Sequence, residues 1–179
     1  MLQLADKAPN ITGVIMDDFF QKNAKDPSGV GVLTVAELKR MQQRIKAGEK
    51  KLDLWVCAYS TDCDLPVRDY LALCDVVTFW VWNGANLSQL PSILTKFEKL
   101  VPQARKVLGC YMYDYGASKP MSVSSMKLQF ELALEWIQAG RIEGMIFEGS
   151  NICDFGFDSV EWSREWIRKV GDQELVVKS

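Results

Sequence analysis

Histidine is missing from this sequence altogether. Mechanisms that rest on an imidazole base or ligand, including Ser-His-Asp and Cys-His catalysis and most zinc hydrolases, are excluded unless another chain supplies the ring. Cysteine is present five times, at positions 57, 63, 74, 110 and 153, with no C-x-x-C pair. An odd number without that spacing argues against both a disulfide framework and a zinc ribbon. Cys57, Cys74 and Cys110 sit in or beside apolar segments, where a thiol behaves as a small hydrophobe, and that usage favours a reducing, cytoplasmic setting. Neither sign of charge dominates: 21 basic and 23 acidic residues give a formal net charge of −2. No basic stripe is available to neutralise a run of phosphates, so nucleic acid is not an expected partner. Long hydrophobic runs are lacking too. The segment 76–82 is among the longest, far short of the roughly 20 residues that span a bilayer. The N-terminus has neither the charged nor the apolar region of a signal peptide. A soluble protein with no membrane partner is expected.

What is present is a regular alternation. The chain has 179 residues, 48% of them hydrophobic, enough to bury a sizeable core as one domain over 1–179. Short apolar runs at 11–18, 52–60, 75–82, 106–114 and 142–148 read as strands. Each is followed by a helical pattern. Thr34 with Glu37 three residues later has the form of a capping box, and Val35, Leu38, Met41 and Ile45 keep helical spacing until Gly48. A short helix passes through Tyr70 and Leu71. Pro91 is tolerable in the first turn of a helix over about 90–100. Ser122 opens a helix through Leu128, Leu132 and Trp136 that stops at Gly140, and a last helix runs from about Asp158 to Gly171. Trp162 and Trp166, four apart, share one face of it. No β-hairpin signal separates the strands.

Continuous apolar strands alternating with amphipathic helices predict a parallel α/β protein, its sheet covered on both faces. Two architectures fit five βα units. A doubly wound sheet predicts a glycine-rich phosphate turn after the first strand, but this chain carries Asp17-Asp18-Phe19-Phe20 there, which would repel phosphate. The alternative, favoured here, is a TIM-barrel-like (β/α) domain lacking the three N-terminal units of a full barrel. The first ten residues read as the tail of a helix, in keeping with a missing upstream part. Such a piece would leave an apolar sheet edge uncovered, so either a homodimer or a separate N-terminal half is expected.

In a (β/α) barrel the site is built from loops that follow the strands. The helix-to-strand connections here are short and charged. The strand exits read Asp17-Asp18-Phe19-Phe20, Tyr59-Ser60-Thr61-Asp62, Trp80-Val81-Trp82-Asn83, Tyr111-Met112-Tyr113-Asp114-Tyr115 and Phe147-Glu148-Gly149-Ser150-Asn151. Carboxylates, amides and large aromatics thus gather at one end of all five strands. Sugar chemistry needs those types: aromatic faces stack on pyranose CH faces, and amides and carboxylates bind hydroxyls. Two carboxyl groups flanking a glycosidic bond supply acid and nucleophile or base.

The stretch from Pro9 through Ile11, Gly13 and Asp17-Asp18-Phe19-Phe20 resembles the fourth strand of glycoside-hydrolase-like (β/α)8 barrels. Gly109-Cys110-Tyr111-Met112-Tyr113-Asp114-Tyr115 and Gly144-Met145-Ile146-Phe147-Glu148-Gly149 are similar to the last two strands of such barrels. The resemblance implies that Asp17 or Asp18, together with Glu148, stands where those enzymes place catalytic or sugar-binding carboxylates.

Residue by residue, blander roles compete. Adjacent strand residues point to opposite sides, so at most one of Asp17 and Asp18 faces a lumen, and a strand-end Asp also serves as a loop cap. Glu148 leaves an apolar strand, where a lone buried carboxylate is costly unless paired. Alternation sets Tyr111, Tyr113 and Tyr115 on one side and Asp114 on the other. Of Trp80 and Trp82, the latter, nearer the exit, is the expected stacking platform. Asp62 and Asp64 read mainly as solvated turn residues, and a Ca²⁺ loop lacks its spacing. Glu131 and Glu135 lie on a solvated helix face. The expected function is therefore that of a glycosidase-type hydrolase. Asp17, Asp18 and Glu148 are the catalytic candidates, and Trp82, Asn83, Tyr113, Asp114 and Asp62 the contacts to a carbohydrate or other small-molecule substrate, with no metal and no cofactor. Alternatives are a non-catalytic carbohydrate-binding or assembly module and a metal-dependent sugar isomerase or lyase.

Overall fold

A computed structural model describes residues 2–21, 29–149 and 152–175. Ser150 and Asn151 at the last strand exit, and Pro27-Ser28 in the first loop, lie outside the described residues. The strands are β1 (Gly13–Met16), β2 (Asp53–Tyr59), β3 (Val76–Trp80) and β4 (Arg105–Tyr111), a two-residue pair β5 (Tyr113–Asp114) and β6 (Lys119–Pro120), and β7 (Gly144–Glu148). Five of them form one parallel sheet in the order β1-β2-β3-β4-β7, which never reverses along the chain. A doubly wound sheet reverses at its switch point; this order is that of successive units of a (β/α) barrel, as the strand exits predicted. Gly13 stands opposite Asp53 at one edge pair and Tyr111 opposite Glu148 at the other.

Helices α1 (Leu2–Lys7), α2 (Val35–Lys46), α3 (Arg68–Leu71), α4 (Leu90–Leu100), α5 (Val123–Gln138) and α6 (Asp158–Val170) alternate with the strands. Their ends follow local chemistry. Thr34 accepts from Glu37 N, and the Glu37 carboxylate accepts from Thr34 N at 2.9 Å, the reciprocal box that satisfies orphan N–H groups. Ser122 Oγ accepts from Ser125 N at 3.1 Å to start α5, and Gly140, at φ 65°, takes the left-handed turn after it. In α6 the acids Asp158 and Glu161 occupy the first turn and Arg168 and Lys169 the last, complementing the helix dipole.

Packing divides the chain into two compact units, Met1–Thr78 with Thr95–Arg105 and Phe79–Leu94 with Lys106–Ser179. Leu38, Leu52, Leu54, Leu71 and Phe97 are fully buried in the first. The second is built on Phe79, Leu108, Phe130 and Trp136. Trp162 and Trp166 do share a face: their rings lie 5.4 and 4.6 Å from Phe130 of α5, and Trp166 also meets Phe147 of β7. One glycine is dictated by packing. A Cβ at Gly109 would fall inside the Trp80 indole, so only glycine lets that buried ring lie flat against β4.

Two expectations are corrected. The fourth strand stops at Tyr111 instead of running to Asp114. Met112 N donates to Glu148 O, while Met112 O accepts from Met121 N and from Ser159 Oγ, each within 3.0 Å. With both backbone groups engaged there, the chain turns away from the sheet. A small antiparallel hairpin then forms, with Tyr113 opposite Pro120 and Asp114 opposite Lys119. It escaped sequence reading because two-residue strands carry no alternation to detect.

Candidate functional site

In the first unit the strand exits hold Asp17, Asp18, Tyr59 and Asp62. Asp17 and Asp18 lie beyond the last residue of β1, not within it, so strand alternation does not govern them. Both are exposed. Asp18 takes φ 46°, a left-handed conformation that Asp tolerates better than most residues. Its Oδ1 accepts from the Tyr59 hydroxyl at 2.8 Å. Asp17 Oδ1 accepts from Asp18 N at 3.0 Å, the loop-capping role weighed above.

Asp62 is not a solvated turn residue. It is 5% exposed, and its Oδ2 accepts from Tyr59 N at 2.7 Å, capping the 3₁₀ turn Ser60–Asp64. Burial pushes its carboxyl above the ordinary value, and the hydrogen bond from Tyr59 N only partly offsets this. Asp64 is solvated and pairs with Lys96 at 3.2 Å.

In the second unit the exits of β3, β4 and β7 converge on aromatic rings. Trp80 is 6% exposed and Trp82 48%, so the first lies in the core and the second reaches solvent. Trp82 stacks on Tyr115, centroids 4.9 Å apart at 29°, and meets Tyr111 edge-on. Tyr115 also contacts Tyr111 and Tyr113 at 5.0 and 5.3 Å, and its hydroxyl donates to Glu148 Oε2 at 2.9 Å. Turning the chain at Met112 is what brings Tyr115 beside Trp82; Gly116 N donates to Trp82 O.

Asp114 points elsewhere. It is 5% exposed, and its carboxylate accepts from Ala117 N at 3.0 Å to hold the hairpin loop. A Cβ at Gly84 would stand 2.5 Å from Asp114 Oδ2, so glycine makes room for that carboxylate. Asn83 caps its own turn, its side-chain oxygen accepting from Ala85 N. Asn83 and Asp114 line a cavity of ≈ 290 Å³ with Ser122 and Ser125. A second cavity, ≈ 320 Å³, has walls of Tyr113, Tyr115, Ile152, Phe155 and Phe157. The sequence placed Tyr115 at a strand exit without a site role and left Phe155 and Phe157 unremarked; the available signal was an aromatic pair around Gly156 just beyond the last strand exit.

A hollow of ≈ 570 Å³ in the first unit is lined by Gln42, Asp53, Asp75, Gln103 and Arg105, at the starting ends of the strands. Lys46 pairs with Asp53 and Asp75 at 3.3 and 2.8 Å, and Arg105 pairs with Asp53. Asp75 also accepts from Leu54 N at 2.7 Å. These charges tie helix to strand, the stabilising role expected at that end. Among the described residues no three His, Cys, Asp or Glu side chains are grouped to hold a metal. No disulfide joins any of the five cysteines. Burial pushes the Cys63 thiol up to about 11 and Cys74 to about 12, and it raises Cys110 as well, so none of these three is poised as a thiolate.

Fold and exits together define a parallel α/β protein of sequentially wound βα units with an aromatic, carboxylate-bearing site at the strand ends of its second unit. No protein-family model matches the chain, and no curated protein matches it in sequence. No helix among the described residues is long and apolar enough to cross a membrane.

Proposed function

We propose that the protein is carbohydrate-active, of glycoside-hydrolase-like type. It would bind a sugar ring against Trp82, with Glu148 as the carboxylate that meets the ring's hydroxyls or the glycosidic oxygen. The observation that carries this reading is the Trp82–Tyr115–Glu148 arrangement: a half-exposed indole stacked on a tyrosine whose hydroxyl holds a carboxylate at 2.9 Å. An aromatic face suits the CH face of a pyranose, and a carboxylate held in place by a donor suits its hydroxyls. In the hydrolytic form of the proposal Glu148 is one member of a carboxylate pair, its position held by the Tyr115 hydroxyl. Asp114 and Asp62 are set aside as the second carboxylate because each is buried on a backbone N–H.

A second reading, a non-catalytic carbohydrate-binding or assembly module, is favoured by that same commitment of Asp114 and Asp62 to loop structure. Turnover of a panel of aryl glycosides separates the two. Hydrolysis lost in Glu148→Gln supports the carboxylate-dependent enzyme; hydrolysis surviving that substitution sinks it. Sugar-dependent thermal stabilisation without turnover identifies the binding module. A metal-dependent isomerase or lyase would show activity that a chelator abolishes and Mg²⁺ or Mn²⁺ restores.

A further inference from the structure

Tyr115 belongs to two places at once. One side of its environment is Trp82 and the Glu148 carboxylate. The other is the ≈ 320 Å³ cavity it lines with Tyr113, Ile152, Phe155 and Phe157. Among the described residues, the walls of that cavity carry no ionisable acid or base beyond the two phenols, and four of the five described there are aromatic. Phe155 is 69% exposed, the highest figure among the exposed large hydrophobic residues. It leans on Phe157 at 5.8 Å and 31° instead of turning into the core. The segment is shaped for this. Ile152 is buried, Gly156 takes φ 70°, and Phe157 is the residue that starts α6, so the two phenyl rings flank a turn.

The volume is at the low end of the roughly 300–1,000 Å³ of small-molecule sites. It exceeds the about 150 Å³ in which an apolar cavity accommodates a benzene ring. A second sugar would lose water from several hydroxyls there and find, among the described wall side chains, only the phenols to replace it. A flat apolar group loses nothing comparable and gains four aromatic neighbours.

We infer that this cavity takes the aglycone of the ligand, and that the ligand class is a glycoside bearing an aromatic or similarly flat apolar group. Its sugar lies against Trp82, its aglycone lies between Tyr113, Phe155 and Phe157, and the bond joining them passes Tyr115, the residue common to the stack and the cavity. The inference rests on the carbohydrate reading for the sugar half, and on the cavity alone for the other.

The test is calorimetric or fluorescence titration of the full chain with three probes built on the same sugar: its phenyl glycoside, its methyl glycoside, and free phenol. A set of sugars is used, since the sugar is not specified by the cavity. The expected result is a phenyl glycoside bound on the order of tenfold more tightly than its methyl counterpart. Phe155→Ser, at a site too exposed to endanger folding, and Phe157→Ala should shrink that preference while leaving methyl glycoside affinity unchanged. Trp82→Ala should weaken both glycosides. Equal affinity for phenyl and methyl glycosides overturns the aglycone cavity and leaves the carbohydrate reading standing. Phenol bound as well as the phenyl glycoside, with Trp82→Ala silent, overturns the carbohydrate reading and shows a site for aromatics alone. Binding of none of the three probes overturns both.

Discussion

The two compact units place similar residue types at their strand ends and use them differently. In the first, the acidic groups described at strand ends are held by specific neighbours: Asp53 and Asp75 by Lys46, with Arg105 on Asp53, Asp62 and Asp17 by backbone N–H groups, Asp64 by Lys96, and Asp18 by Tyr59. In the second, Asp114 is likewise held by a backbone N–H, while Glu148 is held by a phenol beside an indole that is half open to solvent. A count of acids at strand ends therefore overstates the chemistry. Asp53, Asp62, Asp75 and Asp114 are tied into ion pairs or backbone N–H groups, and Glu148 differs from them in its aromatic neighbours.

The sharpest way to break this comparison is to destroy the aromatic layer from beneath. Gly109→Val would force the Trp80 ring off β4, and a cost of about 3 kcal/mol or more is expected from overpacking, read as a lower urea midpoint with an unchanged slope. Next in size is Trp82→Ala, which should weaken sugar binding on the order of tenfold. It should cost about 1 kcal/mol of stability through the lost stack on Tyr115.

Unit one answers to pH instead. Burial raises the Asp53 carboxyl, but hydrogen bonds from Arg105 and Lys46 outweigh it and hold the group below its ordinary 3.8. Asp53 thus contributes stability that is present above that value and is lost as pH falls through the lower folded one. Burial pulls Lys46 down, but Asp75 and then Asp53 hold it above 10.5. Its contribution is complete below 10.5 and lost as pH rises through the folded value. Denaturant titrations of Asp53→Asn should therefore show a shallower acid limb, and those of Lys46→Met a shallower alkaline one.

Asp62 has the opposite sign. Its raised carboxyl means that ionisation costs stability as pH rises above the ordinary 3.8. Asp62→Asn, which still offers an oxygen to Tyr59 N, should gain stability at pH 7 and lose that gain in acid; a loss at pH 7 would mean that the charge itself holds the turn. The smallest effect is expected of Tyr59→Phe, within about 0.5 kcal/mol, because its bond to Asp18 is exposed to water.

Much of the architecture was legible in the residues themselves. The Thr34–Glu37 box, Pro91 in the first turn, Ser122 and Gly140 marked helix limits through chemistry that acts over three or four residues. Apolar runs of strand length between them required a parallel sheet, and the Asp-Asp turn after the first strand argued against a phosphate loop. That polar and aromatic residues collect at the strand exits was also visible, as was the position of Trp82 nearer the exit than the buried Trp80.

Facing and partnership were decided only in three dimensions. No local rule says that Met112 spends its backbone bonds on Glu148, Met121 and Ser159. Yet that choice ends β4, buries Asp114 in a hairpin and swings Tyr115 between Trp82 and the Phe155 cavity. Nor does the sequence show Asp62 buried, since its partner N–H is a backbone group placed by the turn. Periodicity fixes secondary structure because it depends on neighbours along the chain. Which carboxylate remains for a ligand depends on groups tens of residues away, and only the folded backbone brings those together.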